Sequence, residues 1–464
     1  MTSSTDERPE ATAAEPPARR ATWAALRPLV LRLHFYAGVL IAPFLLVAAT
    51  TGLLYAASYQ IEQIVYRHEL AAPTGGPPLP LSGQIAAARA ARPDGTVTAV
   101  RPAEPGTTTR VLLDVPGLAD STQLAVFVNP ATGQVHGVLE SYGSSGALPV
   151  RAWISTLHRS LHLGEPGRIY SELAASWLWV VALGGLLLWV TRRRREGRRL
   201  RGLAAPERGA TGLRRVLSWH GSLGLWAVLG LFFLSATGLT WSAYAGENVD
   251  EVRAALGWTT PSISTSSGDH AAHSGGGHQH AGPSDAGVDR VVQAAAGRRL
   301  SGPLEIVWPK EPGGSYVVKE IDKEWPQRLD QVAVDAGTGQ VTDELRFADY
   351  SLAAKLARWG IDGHMGLLFG LANQILLVAL AAGIITLIVL GYRMWWARRP
   401  GRGFGAPYPR GGWRRVPVVV LAPLVVAVAA VGWFLPLMGL SLAAFVVLDV
   451  LLGLRSRRTA ARAE

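Results

Sequence analysis

Apolar runs long enough to cross a lipid bilayer constrain this chain more than any other feature. A spanning helix needs about 20 mostly apolar residues to cross roughly 30 Å of hydrocarbon. Residues 29–55, 173–191, 216–241 and 365–395 each meet that requirement. The stretch 416–454 is long enough for two more spans, with a tight turn expected between Gly432 and Gly439, at Pro436. The chain is 49% hydrophobic and only 17% charged, too apolar for an ordinary soluble protein of its size. The expected fold is therefore an α-helical polytopic membrane protein of about six spans.

Arginine and lysine set the orientation. Residues 192–215 carry ten arginines against two glutamates. Further basic runs occupy 393–415 and the C-terminal tail, and Arg19, Arg20, Arg27 and Arg32 precede the first span. With six spans all four basic regions fall on one side, which the positive-inside rule makes cytoplasmic. The net charge of +11 thus reads as anchoring to phospholipid headgroups and not as nucleic-acid binding. The resulting division is a disordered cytoplasmic N-terminus at 1–24, span 1 at 25–56, an extracytoplasmic lobe at 57–165 and span 2 at 166–191. A basic loop at 192–215 leads to span 3 at 216–242 and a second lobe at 243–363. Span 4 at 364–396, a second basic loop at 397–415, spans 5 and 6 at 416–454 and a cytoplasmic tail at 455–464 complete it. The setting is a bacterial cytoplasmic membrane, with both termini cytoplasmic.

The chain also repeats itself. LHFYAG at 33–38 and TGLLY at 51–55 in the first span answer WHGSLG at 219–224 and TGLTW at 237–241 in the third. In the loops, NPATGQV at 129–135 answers DAGTGQV at 335–341, and His162-Leu-Gly164 answers His364-Met-Gly366. The unit is span, lobe, span, used twice, with spans 5 and 6 outside it. Each lobe reads as an Ala-rich helix, at 81–92 and 288–299, followed by alternating strands: 110–115, 124–128 and 134–139 in the first, 305–308, 316–321 and 331–334 in the second. Two small α+β lobes are expected, with neither a catalytic triad nor a phosphate loop.

There is no cysteine, which excludes disulfides, thiol catalysis, iron–sulfur ligation and covalent c-type haem attachment. Histidine remains. Ionisable residues within spans are costly and mark function, and His34, His220, His162 and His364 occupy matching places in the two repeats, the first two near the cytoplasmic ends of spans and the last two near the outer ends. His158 precedes His162 by one turn. Haem suits two facing histidines in an apolar slot, whereas zinc wants three or four ligands close together. His34 and Gly52, like His220 and Gly238, fall on one helix face about 27 Å apart. Those glycines fit either a packed cofactor or close helix–helix contact. Separately, His270, His273, His278 and His280 form a Gly/Ser-rich tract at 269–280 able to bind soft or borderline metals.

The tandem unit, with LHRSLHLGEPGR at 157–168 before span 2 and the TG-containing turns of the lobes, resembles the PepSY-associated transmembrane family, which includes iron-regulated membrane proteins and haem-containing siderophore reductases. The resemblance covers roughly residues 25–400. It implies PepSY-like lobes, about two b-type haems, and His34, His220, His162 and His364 as axial ligands, with His158 as a substitute or supporting partner. It also implies reduction of an extracytoplasmic ferric chelate or another metal, with a quinol or a cytoplasmic reductase as the electron donor. The His-rich tract departs from the family pattern and points toward copper; spans 5 and 6 lie beyond it. Two other readings stand beside the reductase: a non-catalytic membrane receptor that regulates an extracytoplasmic partner, and an accessory protein for copper or iron uptake.

Overall fold

A computed structural model of the protein describes residues 18–73, 75–197, 200–265, 286–311, 313–335, 337–399 and 412–460. The His-rich tract, with His270, His273, His278 and His280, lies outside the described residues, as do residues 1–17. Helix α1 (Ala18–Leu40) begins inside the N-terminal stretch expected to be disordered. It stops one residue short of α2 (Ala42–Val65), so the expected first span is two helices. The cause is Pro43, which has no N–H to give the carbonyl of Val39 four residues back. Tyr392 donates its hydroxyl to that carbonyl instead, at 2.8 Å.

The chain continues through α3 (Arg67–Leu70), α4 (Leu81–Ala91), β1 (Thr96–Arg101), β2 (Thr109–Asp114), β3 (Thr122–Val128), β4 (Val135–Tyr142) and α5 (Pro149–Ser160). Then come α6 (Glu165–Arg195), α7 (Leu200–Ala204), α8 (Gly212–Leu239), α9 (Tyr244–Ala255) and α10 (Ala286–Ala296). Strands β5 (Leu304–Val307), β6 (Tyr316–Glu320), β7 (Gln331–Val334) and β8 (Val341–Leu345) precede α11 (Leu352–His364), α12 (Gly370–Arg398), α13 (Val418–Phe434) and α14 (Pro436–Ala460). Among the described residues five helices are long and apolar enough to cross a membrane: α2, α6, α8, α12 and the Pro436–Arg455 part of α14. Six spans were expected; α13, with 17 residues, falls short of that length.

Contacts divide the chain into two compact units. One comprises Met1–Pro43, Ser176–Phe232 and Leu387–Glu464. Within it α14 docks along one stripe at i, i+4 spacing. The fully buried Trp177 donates to Ser441 Oγ at 2.8 Å and meets Phe445 edge-on, and Asp449 pairs with Arg32 of α1. Helices α13 and α14 meet across Gly432 and Gly439, where a Cβ at Gly439 would collide with the Gly432 carbonyl oxygen. The turn falls at Leu435, inside the expected segment.

The other unit comprises Phe44–Ala175 and Phe233–Thr386. Two lobes were expected here, and a single sheet is found. Its eight strands run β4-β3-β2-β1-β5-β6-β7-β8, all neighbours antiparallel, with β1 and β5 paired across the middle at Ala99↔Val307 and Val100↔Ile306. Helices α4 and α10 cover one face with a common core that includes Ile85, Val111, Val126, Val291, Ile306 and Val332. A register shift between Val97 and Ala99 puts Val97 and Val100 on that same face despite their odd spacing. Asp289 of α10 also accepts from the Leu81 and Ser82 amides that open α4, at 2.8 and 3.3 Å, satisfying N–H groups a helix start leaves without partners.

The β3–β4 and β7–β8 turns have matching hydrogen bonds. Asn129 and Asp335 each donate their amide to a glutamine carbonyl, of Gln134 at 2.8 Å and of Gln340 at 2.9 Å. Their side-chain oxygens accept the amides of Thr132 and Thr338 at 3.2 and 2.7 Å. Gly133 and Gly339 stand at φ of 70° and 71°, where a side chain would be strained.

Charge seals the seam on the opposite face. Glu305 of β5 receives Arg101 of β1 at 2.6 Å and Lys319 of β6 at 2.7 Å. Burial works against its charged form, but the two cations together outweigh it and hold the carboxyl below its usual range. A depressed carboxylate pKa adds stability above the unfolded value of about 4.3 and loses it as pH falls through the lower folded value. Glu305→Gln strands two partly buried cations and is expected to cost about 3 kcal/mol at pH 7. Thermal melts in detergent should show the gap between variant and wild type closing below pH about 4; a gap unchanged down to pH about 2 would refute this account.

Candidate functional site

Four histidines fall into two pairs, one in each unit: the rings of His34 and His220 face each other, and His158 lies close enough to His364 for its charge to be felt there. His34 of α1 and His220 of α8 have ring centres 6.4 Å apart at 73°. Two imidazoles bound to one metal from opposite sides, at about 2.0–2.1 Å per bond, would have ring centres roughly 6 Å apart. His34 Nδ1 donates to the Val181 carbonyl of α6 at 3.0 Å, and His220 Nδ1 to the Leu387 carbonyl of α12 at 3.1 Å. A carbonyl can only accept, so Nδ1 carries the proton and Nε2 keeps its lone pair. Glycine makes both bonds reachable. A Cβ at Gly185 would stand 3.1 Å from His34 Cε1, and one at Gly391 would stand 3.8 Å from His220 Cε1. In each case the glycine lies four residues after the accepting carbonyl, one turn along; at Gly185 a Cβ would press on the imidazole, while at Gly391 it would make ordinary contact.

The second pair is His158 of α5 and His364 of α11. Both helices lie outside the long spanning helices, so His364 closes a separate helix and does not open the fourth span. Here threonine takes the carbonyl's place. His158 Nδ1 meets Thr51 Oγ1 at 2.9 Å, and His364 Nδ1 meets Thr237 Oγ1 at 2.6 Å. Each hydroxyl gives its own hydrogen to the carbonyl one turn back, Thr51 to Val47 at 2.8 Å and Thr237 to Phe233 at 2.6 Å. With its proton committed, the hydroxyl accepts from Nδ1–H, and Nε2 is again the free nitrogen. Gly52 and Gly238 follow the two threonines, and a Cβ there would lie 3.1 Å from His158 Cε1 and 3.8 Å from His364 Cε1. Burial pushes His158 down to about 4. Burial, and then the charge of His158, push His364 down to about 3, so both rings stay neutral at pH 7.

His162 is not brought to this site. It follows Leu161 in a left-handed turn at φ 56°, is exposed, stacks on Trp153 at 4.9 Å and spends Nε2 on the Trp153 carbonyl at 3.0 Å. His158, whose charge reaches His364, takes its place in the pair. The sequence reading attached Gly52 and Gly238 to a cofactor or to helix packing; in the structure Gly52 makes room for the His158 ring, and Gly238 lies first against Ala175 of α6, a helix contact, with His364 just beyond. Thr51 and Thr237, and the 181/185 and 387/391 pairs, were missed, although the repeated Thr-Gly doublets carried a signal. No three His, Cys, Asp or Glu among the described residues are grouped to hold a metal ion, so a zinc site of three or four ligands has no candidate there.

If glycine serves to seat the rings, alanine should act differently by position. Gly52→Ala and Gly185→Ala push against imidazoles at 3.1 Å and should lower the melting temperature in detergent. Gly383, with nothing within 4 Å of its added Cβ, should tolerate alanine or gain about 0.5–1 kcal/mol. Equal effects at all three positions would show that the glycines do not matter for the rings.

No curated protein matches the sequence. The family model described as the PepSY-associated TM region matches residues 31–398, from just before His34 to the end of α12, and so spans both pairs of histidines and the whole sheet. The chain belongs to the PepSY-associated transmembrane family.

Proposed function

We propose that this protein is a membrane-bound, b-type di-haem electron carrier that reduces a ferric chelate, such as a siderophore, or another oxidised metal on the extracytoplasmic side. One observation carries the reading. Four imidazoles in two matching pairs each have Nδ1 tethered and Nε2 unspent. That is how a histidine is prepared to bind metal, because the tether fixes its tautomer and orientation. The donor set fits haem: two neutral imidazoles per site, among apolar helices, with ring centres in one pair 6.4 Å apart. His34 with His220 and His158 with His364 would be the axial ligands. When bound, haem supplies a one-electron iron couple. With two histidines of the protein on each haem, no place would be left open to oxygen, which would suit electron transfer. Reduction of Fe(III) to Fe(II) weakens a hard oxygen-donor chelate and frees the metal. The internal repeat explains why two sites share one design, and the His-rich tract, as an accessory loop, would capture metal near the point of reduction.

Purified protein from haem-replete expression should show a Soret band and about two haems per chain. Alanine at His34, His220, His158 or His364 should remove about one haem each, since a bis-histidine site with one ligand left binds more weakly. His162→Ala should leave the spectrum unchanged. A haem-free wild type would sink the reductase reading in favour of the receptor reading, and loss of haem in the His162 variant would show the second pair wrongly assigned.

On the positive-inside rule the sheet would lie outside and residues 192–215 inside. Because the chain has no cysteine, single cysteines report topology cleanly. An impermeant thiol reagent on intact spheroplasts should label Ser144→Cys, in the sheet unit, and spare Ala205→Cys. The opposite pattern would reverse the direction of electron delivery.

A further inference from the structure

The face of the sheet away from α4 and α10 carries more positive charge than it can pair. Arg101 of β1 and Arg110 of β2 are direct cross-strand partners, an arrangement that costs stability by itself. Arg151 of α5 joins them from the helices, held by Glu62 of α2 at 2.9 Å. Arg358 of α11 is held by Asp362 at 2.7 Å. Glu305 serves Arg101 and Lys319 together. The three carboxylates are therefore committed. The side chains of Arg110 and Lys323, both residues only partly exposed, make no hydrogen bond or ion pair among the described residues. Arg110 lies over the Phe127 ring at 5.4 Å. Burial, and then Arg101, bring Arg110 down to about 10. Burial, and then Arg358, bring Lys323 down to about 8, against the opposing charge of Asp362 and with smaller help from Arg101 and Arg151. The cations thus feel one another's charge.

This cluster is joined to the His158–His364 pair. Arg151 and His158 lie seven residues apart on α5, two turns along one face. The Arg151 guanidinium covers the Tyr59 ring at 4.9 Å, Tyr59 and Tyr55 hydroxyls meet at 3.4 Å, and the Tyr55 ring stacks on His158 at 6.2 Å and 18°.

We infer that this cationic layer is a binding site for carboxylate anions, with Arg110 and Lys323 as the cations left for the ligand. The inference rests on the proposed function in one respect: it names what the metal substrate or the cofactor presents beside the second pair. Carboxylates satisfy guanidinium forks in a bidentate way and relieve the repulsion between Arg101 and Arg110. Two sources have that chemistry, a polycarboxylate chelate of an oxidised metal and the propionates of a bound haem.

The probe is gallium(III) citrate, which carries the carboxylates of a ferric complex and cannot be reduced in its place. Calorimetric titration of full-length protein in detergent, haem-loaded and haem-free, should show binding that falls roughly tenfold or more in Arg110→Gln and in Lys323→Gln. Lys323→Arg keeps the charge and should retain binding, which separates loss of the cation from a folding defect. Alternatively, gallium citrate fails to bind while both glutamine variants lose haem or lower its midpoint potential. The carboxylates are then propionates and the anion site stands. No citrate binding, with haem content and potential unchanged in both variants, overturns the inference. A protein without haem that still binds gallium citrate through Arg110 and Lys323 refutes the di-haem reading and leaves the anion site intact.

Discussion

A neutral imidazole among apolar helices has one N–H to satisfy, and leaving it unpaired there costs about 1–3 kcal/mol. The answer at all four positions is an acceptor on the neighbouring helix with a glycine beside it. Val181 with Gly185 and Leu387 with Gly391 provide it from the backbone. Thr51 with Gly52 and Thr237 with Gly238 provide it from a side chain. At Gly52 and Gly185 the glycine removes a Cβ that would press on the ring, while at Gly238 and Gly391 a Cβ would only touch it. Ring orientation, tautomer and helix spacing are then fixed by the same few atoms.

The sheet obeys a different constraint. A four-stranded meander with one helix has an open edge at its first strand, and an exposed edge invites pairing with other chains. Here β1 and β5 close each other's edge, and α4 and α10 share one core above the joint. Neither half buries its apolar face alone. The ion triad of Arg101, Glu305 and Lys319 then fixes the seam from the other face. On that face the β1–β2 register sets Arg101 against Arg110, and the β1–β5 joint brings Lys319 to the carboxylate that Arg101 already uses.

Local features were legible in the sequence, and long-range pairings were not. Span positions, the turn at Leu435, the helices α4 and α10 and most strands follow from period and turn residues, which act over a few positions. Strand β1 was missed because its bulge breaks the alternation of Val97, Ala99 and Val100. Its pairing with β5 joins residues some 200 apart, and no local pattern records that. Histidine 162 was favoured over His158 because His-x-Gly matches at 162 and 364 in the repeat. The structure matches the two regions differently: α5 ends at Ser160 and turns through Leu161 and His162 in left-handed conformations, while α11 runs on to His364. The helical histidine of the first half is thus His158. The broken first span was readable from Pro43, whose missing N–H shows in any sequence.

The two kinds of tether differ in a way that bears on function. A helix carbonyl accepts the imidazole proton while still accepting the amide of its own helix, so the His34–His220 pair is tied to backbone that side-chain substitution leaves in place. Threonine can do the same only because its hydrogen is already given to the carbonyl one turn back. If that bond opens, the hydroxyl can rotate and donate to Nδ1, and the proton on the imidazole must then sit on Nε2, where it would block metal. The His158–His364 pair therefore depends on threonine rotamers. It is also the pair joined through Tyr55 and Tyr59 to the cationic face. Of the two pairs it is the one whose free nitrogen the surroundings can tune, and the surroundings that reach it are the cations from which the anion site is inferred.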